Sequence, residues 1–126
     1  MKQHIFITGH NGMLGQMAYR YFTKSGYQVS FPSKKYTYDG RQTFMNIMNA
    51  LPEGSVVVNA IGKIKQKTSD ISELLWANSV LCLDMARHLR KDIMLIQPST
   101  DCVFDGKLGK PYEVSESPNA LDDYGW

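Results

Sequence analysis

At 126 residues, 43% hydrophobic and 21% charged, the chain has the size and composition of one soluble domain with its own core. A net charge of +2 gives no electrostatic footprint for nucleic acid, and no apolar run approaches the ~20 residues a membrane helix requires. Cys82 and Cys102 match no metal-ligand spacing, and the chain enters a strand without a signal-peptide pattern, so reduced thiols, a cytoplasmic location and no metal are expected.

The first strand is His4 to Thr8, an apolar run that breaks into Gly9, Gly12 and Gly15. An amphipathic helix follows at once. In that order the first glycine permits a tight strand-to-helix turn, and the second lets the backbone approach a pyrophosphate. The third lets the helix pack close to the strand, with the phosphate at the helix's positive end. The stretch Gly9-His10-Asn11-Gly12-Met13-Leu14-Gly15 is therefore a candidate dinucleotide cradle. Met13, Leu14, Met17, Ala18, Tyr21 and Phe22 form the helix's expected apolar face, and Gly26 ends it. The methionines read as core filler.

Gln28 to Phe31 reads as a second strand stopped by Pro32, and Tyr36 to Tyr38 as a short third. Asp39 reads as the cap of the next helix, with Gln42 three residues on as its capping-box partner. Phe44, Ile47, Met48 and Leu51 are that helix's buried stripe. Val56 to Ala60 is a β-branched run suited to a strand buried on both faces. A polar loop over 62–70 leads into a helix over 72–90 that buries Leu74, Leu81, Cys82, Met85 and Leu89. A last buried strand covers 93–97, and the sequence beyond Pro98 is loop-like. Strands alternating with helices of crossover length imply a doubly wound parallel α/β sheet in one domain, 1–126.

The ribose end of a dinucleotide is read near the tip of the second strand, where a carboxylate would hold a 2′-hydroxyl and mark NAD. No acidic residue precedes Asp39. Ser33, Lys34 and Lys35 stand there instead; the lysines are either solvated or pair with a 2′-phosphate, so NADP is favoured and NAD remains compatible. Ala60, Ile61 and Gly62 end a central strand at its carboxyl edge, where small residues either admit a cofactor ribose or make a turn. Lys63, Lys65 and Lys67 beyond it are either a solvated loop or contacts for a diphosphate. Asn78, on an apolar stripe, reads as a structural bridge to nearby backbone. Cys102 has no neighbouring histidine and is rejected as a nucleophile. A hydroxyl residue just past a central strand, with a tyrosine some two dozen residues later, suits proton transfer to a carbonyl oxygen.

The segments Thr8 to Gly15, Val58-Asn59-Ala60, Asn78, Ser99-Thr100-Asp101-Cys102-Val103-Phe104-Asp105-Gly106 and Tyr124-Gly125 span the chain. With them it resembles the N-terminal part of an extended short-chain dehydrogenase/reductase, of the dTDP-4-dehydrorhamnose reductase group. That group usually has tyrosine where Cys102 stands, though a branch with cysteine there is similar, including Lys65-Gln66. The resemblance implies a Rossmann-type fold and hydride transfer from NADPH or NADH to a keto group of a nucleotide-linked sugar. In that reading Tyr124 is the proton donor and also touches the cofactor, and Thr100 holds the carbonyl oxygen. Gly12-Met13-Leu14 face the pyrophosphate, Ala60-Ile61-Gly62 the nicotinamide-side ribose, and Asp39-Gly40 the adenine. Thr100 and Asp101 lie by the sugar.

The family's tyrosine works with a lysine four residues later, and position 128 lies past Trp126. A sheet cut before its last strands, no substrate domain and little turnover by this polypeptide are the corresponding expectations. The alternatives are an epimerase or dehydratase of the same superfamily, or a non-catalytic nucleotide-binding subunit. A homo-oligomer is compatible with each.

Overall fold

The computed structural model describes residues 2–126. Four parallel strands form one sheet in the order β2-β1-β3-β4: β1 (His4–Thr8), β2 (Gln28–Ser30), β3 (Val56–Asn59) and β4 (Met94–Ile96). Ile5 pairs in register with Val29 on one side and Val56 on the other, and Val56 pairs with Met94. Strand order reverses between β1 and β3, which opens a crevice at their carboxyl ends. This is the doubly wound α/β, Rossmann-like sheet expected.

Alternation along β1 and β3 divides the core in two. Phe6 and Val57 face α2 (Arg41–Asn49) and α4 (Leu81–His88), packing with Phe44, Met48, Leu81 and Met85. Ile5, Ile7, Val56 and Val58 face α1 (Met13–Lys24), which meets them through Ala18 and Phe22. The expected apolar face of α1 is corrected here. Met13 is 87% exposed and Met17 58%, and Leu14 and Tyr21 are also exposed. Gly15 is the reason: buried against the first turn, it draws the helix in along Gly15, Ala18 and Phe22, and rotates the methionines outward.

Further departures have local causes. Residues 36–38 form no strand; Tyr36 packs its ring on Phe44 at 5.4 Å instead. Asp39 does not cap α2. Gly40 is the N-cap, its N–H donates to Thr37 Oγ1 at 3.1 Å, and Gln42 reaches forward to Asn46 rather than back. The helix over 72–90 is present as one unbroken run over 71–88 that changes type along its length. Asp70 caps α3 (Ile71–Leu75) by accepting from Ser72 N–H at 2.8 Å, a π-helical turn (Trp76–Val80) follows, and α4 continues. Cys82 and Leu89 are half-buried rather than core.

β4 is an edge, not a fully buried strand, with Met94 59% and Ile96 43% exposed. At the amino edge of the sheet, Arg90 ties α2 to β4. Its guanidinium donates to the carbonyls of Asn49 and Leu51 at 2.8 and 2.9 Å, and pairs with Asp92 at 2.7 Å. Among the described residues no helix is long and apolar enough to cross a membrane.

Candidate dinucleotide cradle and adjoining cavity

The turn from β1 to α1 is built as its glycines require. Gly9 has φ +68°, and a Cβ there would fall 2.6 Å from the Ala60 carbonyl carbon, so the turn rests directly on the exit of β3. A Cβ on Gly15 would run into the Gly9 carbonyl oxygen, which leaves no freedom to fill that position. Gly12 N–H bonds the Gly9 carbonyl at 3.0 Å, and Gly12 becomes the N-cap of α1 without a side-chain cap. The amides of Met13, Leu14 and Gly15 thus open the helix with no intrahelical acceptor, and no acidic side chain stands in the first turn. The first turn therefore presents free donors and no anion of its own.

Beneath this cradle lies a polar network that the sequence reading gave no role. Asn59, 1% exposed, receives the Thr8 hydroxyl at 2.6 Å and the Ile61 amide at 3.2 Å on Oδ1. Its Nδ2 donates to Gln97 Oε1 at 2.7 Å, and Gln97 donates to the Pro98 carbonyl at 2.9 Å. One amide therefore fixes the carboxyl ends of β1, β3 and β4 relative to one another. The signal was available: a polar residue closing a β-branched run must find partners once buried.

Beside the cradle is a cavity of about 400 Å³, and it brings together Leu14, Ala60, Ile61, Gly62, Thr100 and Tyr124. Asn78 and Cys82 also line it, as do Gly125 and Trp126. Thr100 caps the 3-10 turn Asp101–Val103 by accepting from Cys102 N–H at 3.2 Å, so its own hydroxyl proton is free to donate into the cavity. Tyr124 is half-buried on the opposite turn. Asp101 is exposed and does not line this cavity; nor do Asp39 and Gly40, which lie before α2.

Asn78 bridges to backbone, as its place on the stripe implied. It accepts from Lys63 N–H and donates to the Lys63 carbonyl, both at 2.8 Å. The nearby lysines are engaged: Lys63 pairs with Glu73 at 3.3 Å and Lys65 with Asp122 at 2.7 Å. A hydrogen bond from Thr68, and then Lys63, hold the Glu73 carboxyl below its usual range, with a smaller contribution from the Lys35 charge. Ser33, Lys34 and Lys35 are exposed on the loop after β2. On the same side of the site, His10 of the cradle stacks on Phe31 at 4.1 Å. Burial pushes the Cys82 thiol up, the opposite of what a nucleophile needs, and Cys102 is exposed. Among the described residues, no three His, Cys, Asp or Glu side chains gather as a metal site.

A family model described as the RmlD substrate binding domain matches residues 1–126. The chain belongs to this family. Solved structures bear on its fold. A dTDP-4-dehydrorhamnose reductase from Bacillus anthracis str. Ames, in complex with NADP, superposes with a TM-score of 0.78 at 22% identity. That match covers 99% of this RmlD-type chain and 46% of the Bacillus chain. A UDP-rhamnose synthase from Acanthamoeba polyphaga mimivirus gives 0.77 at 16% identity, over 99% and 48% of the two chains. UDP-N-acetylglucosamine 4-epimerase from Bacillus cereus gives 0.67 at 19%, over 98% and 50%. The RmlD-type chain thus spans about half the length of each, and at these identities the likeness concerns the fold. Among curated proteins none matches.

Proposed function

We propose that this chain is the dinucleotide-binding part of a reductase acting on a keto group of a nucleotide-linked sugar, with NADPH its preferred reductant. The observation that carries the reading is the contact between the glycine cradle and a cavity lined by both Thr100 and Tyr124. The residues fit a pyrophosphate: free amides open α1, and Gly9 and Gly15 make approaches that a Cβ would block. Gly9, Asn11, Gly12, Met13, Leu14 and Gly15 hold it, while Ala60, Ile61 and Gly62 border the nicotinamide-side ribose. Asp39 and Gly40 lie toward the adenine. When bound, the dinucleotide supplies the hydride.

The chain's own residues supply position and a proton. Thr100 donates its hydroxyl hydrogen to the substrate's carbonyl oxygen, and Tyr124 transfers a proton to that oxygen as it gains charge. Asp101 and Thr100 meet the sugar. Support for NADPH comes from Ser33, Lys34 and Lys35 after β2, with no carboxylate before Asp39 to hold a 2′-hydroxyl. The Bacillus anthracis reductase, itself in complex with NADP, agrees with that preference. Reduced thiols fit a cytoplasmic setting.

Separate titrations of NADPH and NADH, followed by ligand fluorescence, test the reading. NADPH is expected to bind about tenfold or more tightly, a difference of about 1.4 kcal/mol. Equal or tighter NADH binding overturns the preference, and no binding of either overturns the cradle. The epimerase fold match supports a second reading; in a longer product that carries the lysine, stoichiometric loss of NADPH absorbance marks reduction and its absence during turnover marks epimerisation.

A further inference from the structure

The ion pair between Lys65 and Asp122 lies outside the cavity of Thr100 and Tyr124, and no step proposed above uses it. Lys65 begins the 3-10 turn Lys65–Lys67 after β3, and its Nζ stands 2.7 Å from Asp122 Oδ2. The other carboxylate oxygen, Oδ1, accepts from Gly125 N–H at 2.8 Å. The Asp122 carbonyl accepts from Trp126 N–H at 3.0 Å. Tyr124 is therefore enclosed in a turn whose hydrogen bonds both end on Asp122.

That turn rests on the one bearing Thr100. Gly125 is buried against the Cys102 carbonyl and the Ala120 side chain, with no space for a Cβ. Asn119 and Ala120 both donate to the Val103 carbonyl at 2.9 Å. One side of the Tyr124 turn is thus fixed by packing. The other side borders an open cleft of about 400 Å³ lined by Lys65, Thr68, Ser69, Leu121, Asp122 and Asp123. Ile71 and Leu74 also line it, and the Lys65–Asp122 ion pair spans it. The two side chains are 48% and 52% exposed, so the pair adds little to global stability.

We propose that Lys65, acting through Asp122, is a positioning residue for Tyr124, latching its turn to the loop after β3 so that the phenol stays beside Thr100. The inference rests on reading Tyr124 as the proton donor. It explains why Lys65 is spent on a carboxylate although it lies on the ligand edge of the sheet.

NMR of the chain with labelled tyrosine rings tests it, Tyr124→Phe assigning the resonance. Lys65→Met is expected to shift the Tyr124 ring signal and to speed Gly125 and Trp126 amide exchange about two- to fivefold. The Phe6 and Val57 amides should not change, and Lys65→Arg should restore both signals. Raising salt from ~0.05 to ~1 M should reproduce the effect in the wild type and not in Lys65→Met. An unmoved Tyr124 signal with unchanged exchange in Lys65→Met overturns the latch, as does a failure of arginine to restore it. A Tyr124 ring signal left unmoved by saturating NADPH would instead take Tyr124 out of the cofactor site, remove the proton-donor reading and leave the latch standing.

Discussion

Gly12 and Gly15 sit one helical turn apart, yet a methyl group would meet very different surroundings at each. At Gly15 it collides with the Gly9 carbonyl, backbone that cannot move without undoing the β1–α1 turn. At Gly12 the nearest atom is that same carbonyl at 3.4 Å, an ordinary contact. Gly15→Ala is expected to cost about 1–3 kcal/mol of stability by overpacking. Gly12→Ala should cost less, about 0.5–1 kcal/mol by the N-cap preference, yet still weaken NADPH binding about tenfold or more by standing where the pyrophosphate approaches. Thermal melts beside NADPH titrations separate the two. A stable, tightly binding Gly15→Ala protein would refute the packing argument.

Residues also mark how far the sequence was readable. The glycine spacing announced the cradle because the chemistry constrains backbone, and backbone constraints leave glycines behind. Asn59 was not legible in the same way, since a single amide at a strand end carries no period or motif. Its importance lies in partners 38 and 51 residues away, Gln97 and Thr8.

Among the elements, β1, β3, α1, α2 and the long helix over 72–90 were legible from apolar periodicity, but details of three of them were set by contacts periodicity cannot carry. The side of α1 that faces the sheet was set by one close-packed glycine. The start of α2 was set by Thr37 engaging Gly40, which displaced Asp39 from the cap. The long helix holds a π-helical turn at Asn78, where the side chain bonds Lys63 and so stitches helix to loop.

The Arg90 clamp joining α2 to β4 gives a pH signature at this scale. Arg90, and then the Gly54 amide, hold the Asp92 carboxyl well below the usual carboxylate range. A folded-state value below the unfolded one stabilises the fold above the unfolded value, near ~3.9, and that contribution is lost as pH falls through the folded value. Melting temperature compared for wild type and Asp92→Asn should therefore differ at neutral pH and converge at strongly acid pH. A gap that widens on acidification would contradict the assignment.

For the whole molecule, the edge of the sheet matters most. Met94 and Ile96 register with Val56 and Val58, so they lie on the α1 side of the sheet, beyond the part that Ala18 and Phe22 cover. An exposed apolar edge strand recruits further strands. Sedimentation velocity is expected to show concentration-dependent association, reduced by Ile96→Lys. Monomeric behaviour of the wild type at high concentration would oppose it. The alternation of strands and helices made the doubly wound sheet legible at this scale. The exposure of β4 was not, because an apolar triplet reads the same at an edge and at a centre.

The two thiols of this fold differ in a way that makes the site addressable. Cys102 is exposed on the turn that Thr100 caps, while Cys82 is half-buried with its thiol pushed up by burial. A limiting dose of a maleimide dye at mildly alkaline pH should tag Cys102 first, as peptide mapping would verify. The natural sequence thus carries its own attachment point for an optical reporter on the turn whose Thr100 and Val103 line the cavity. Occupancy becomes observable without engineering a cysteine.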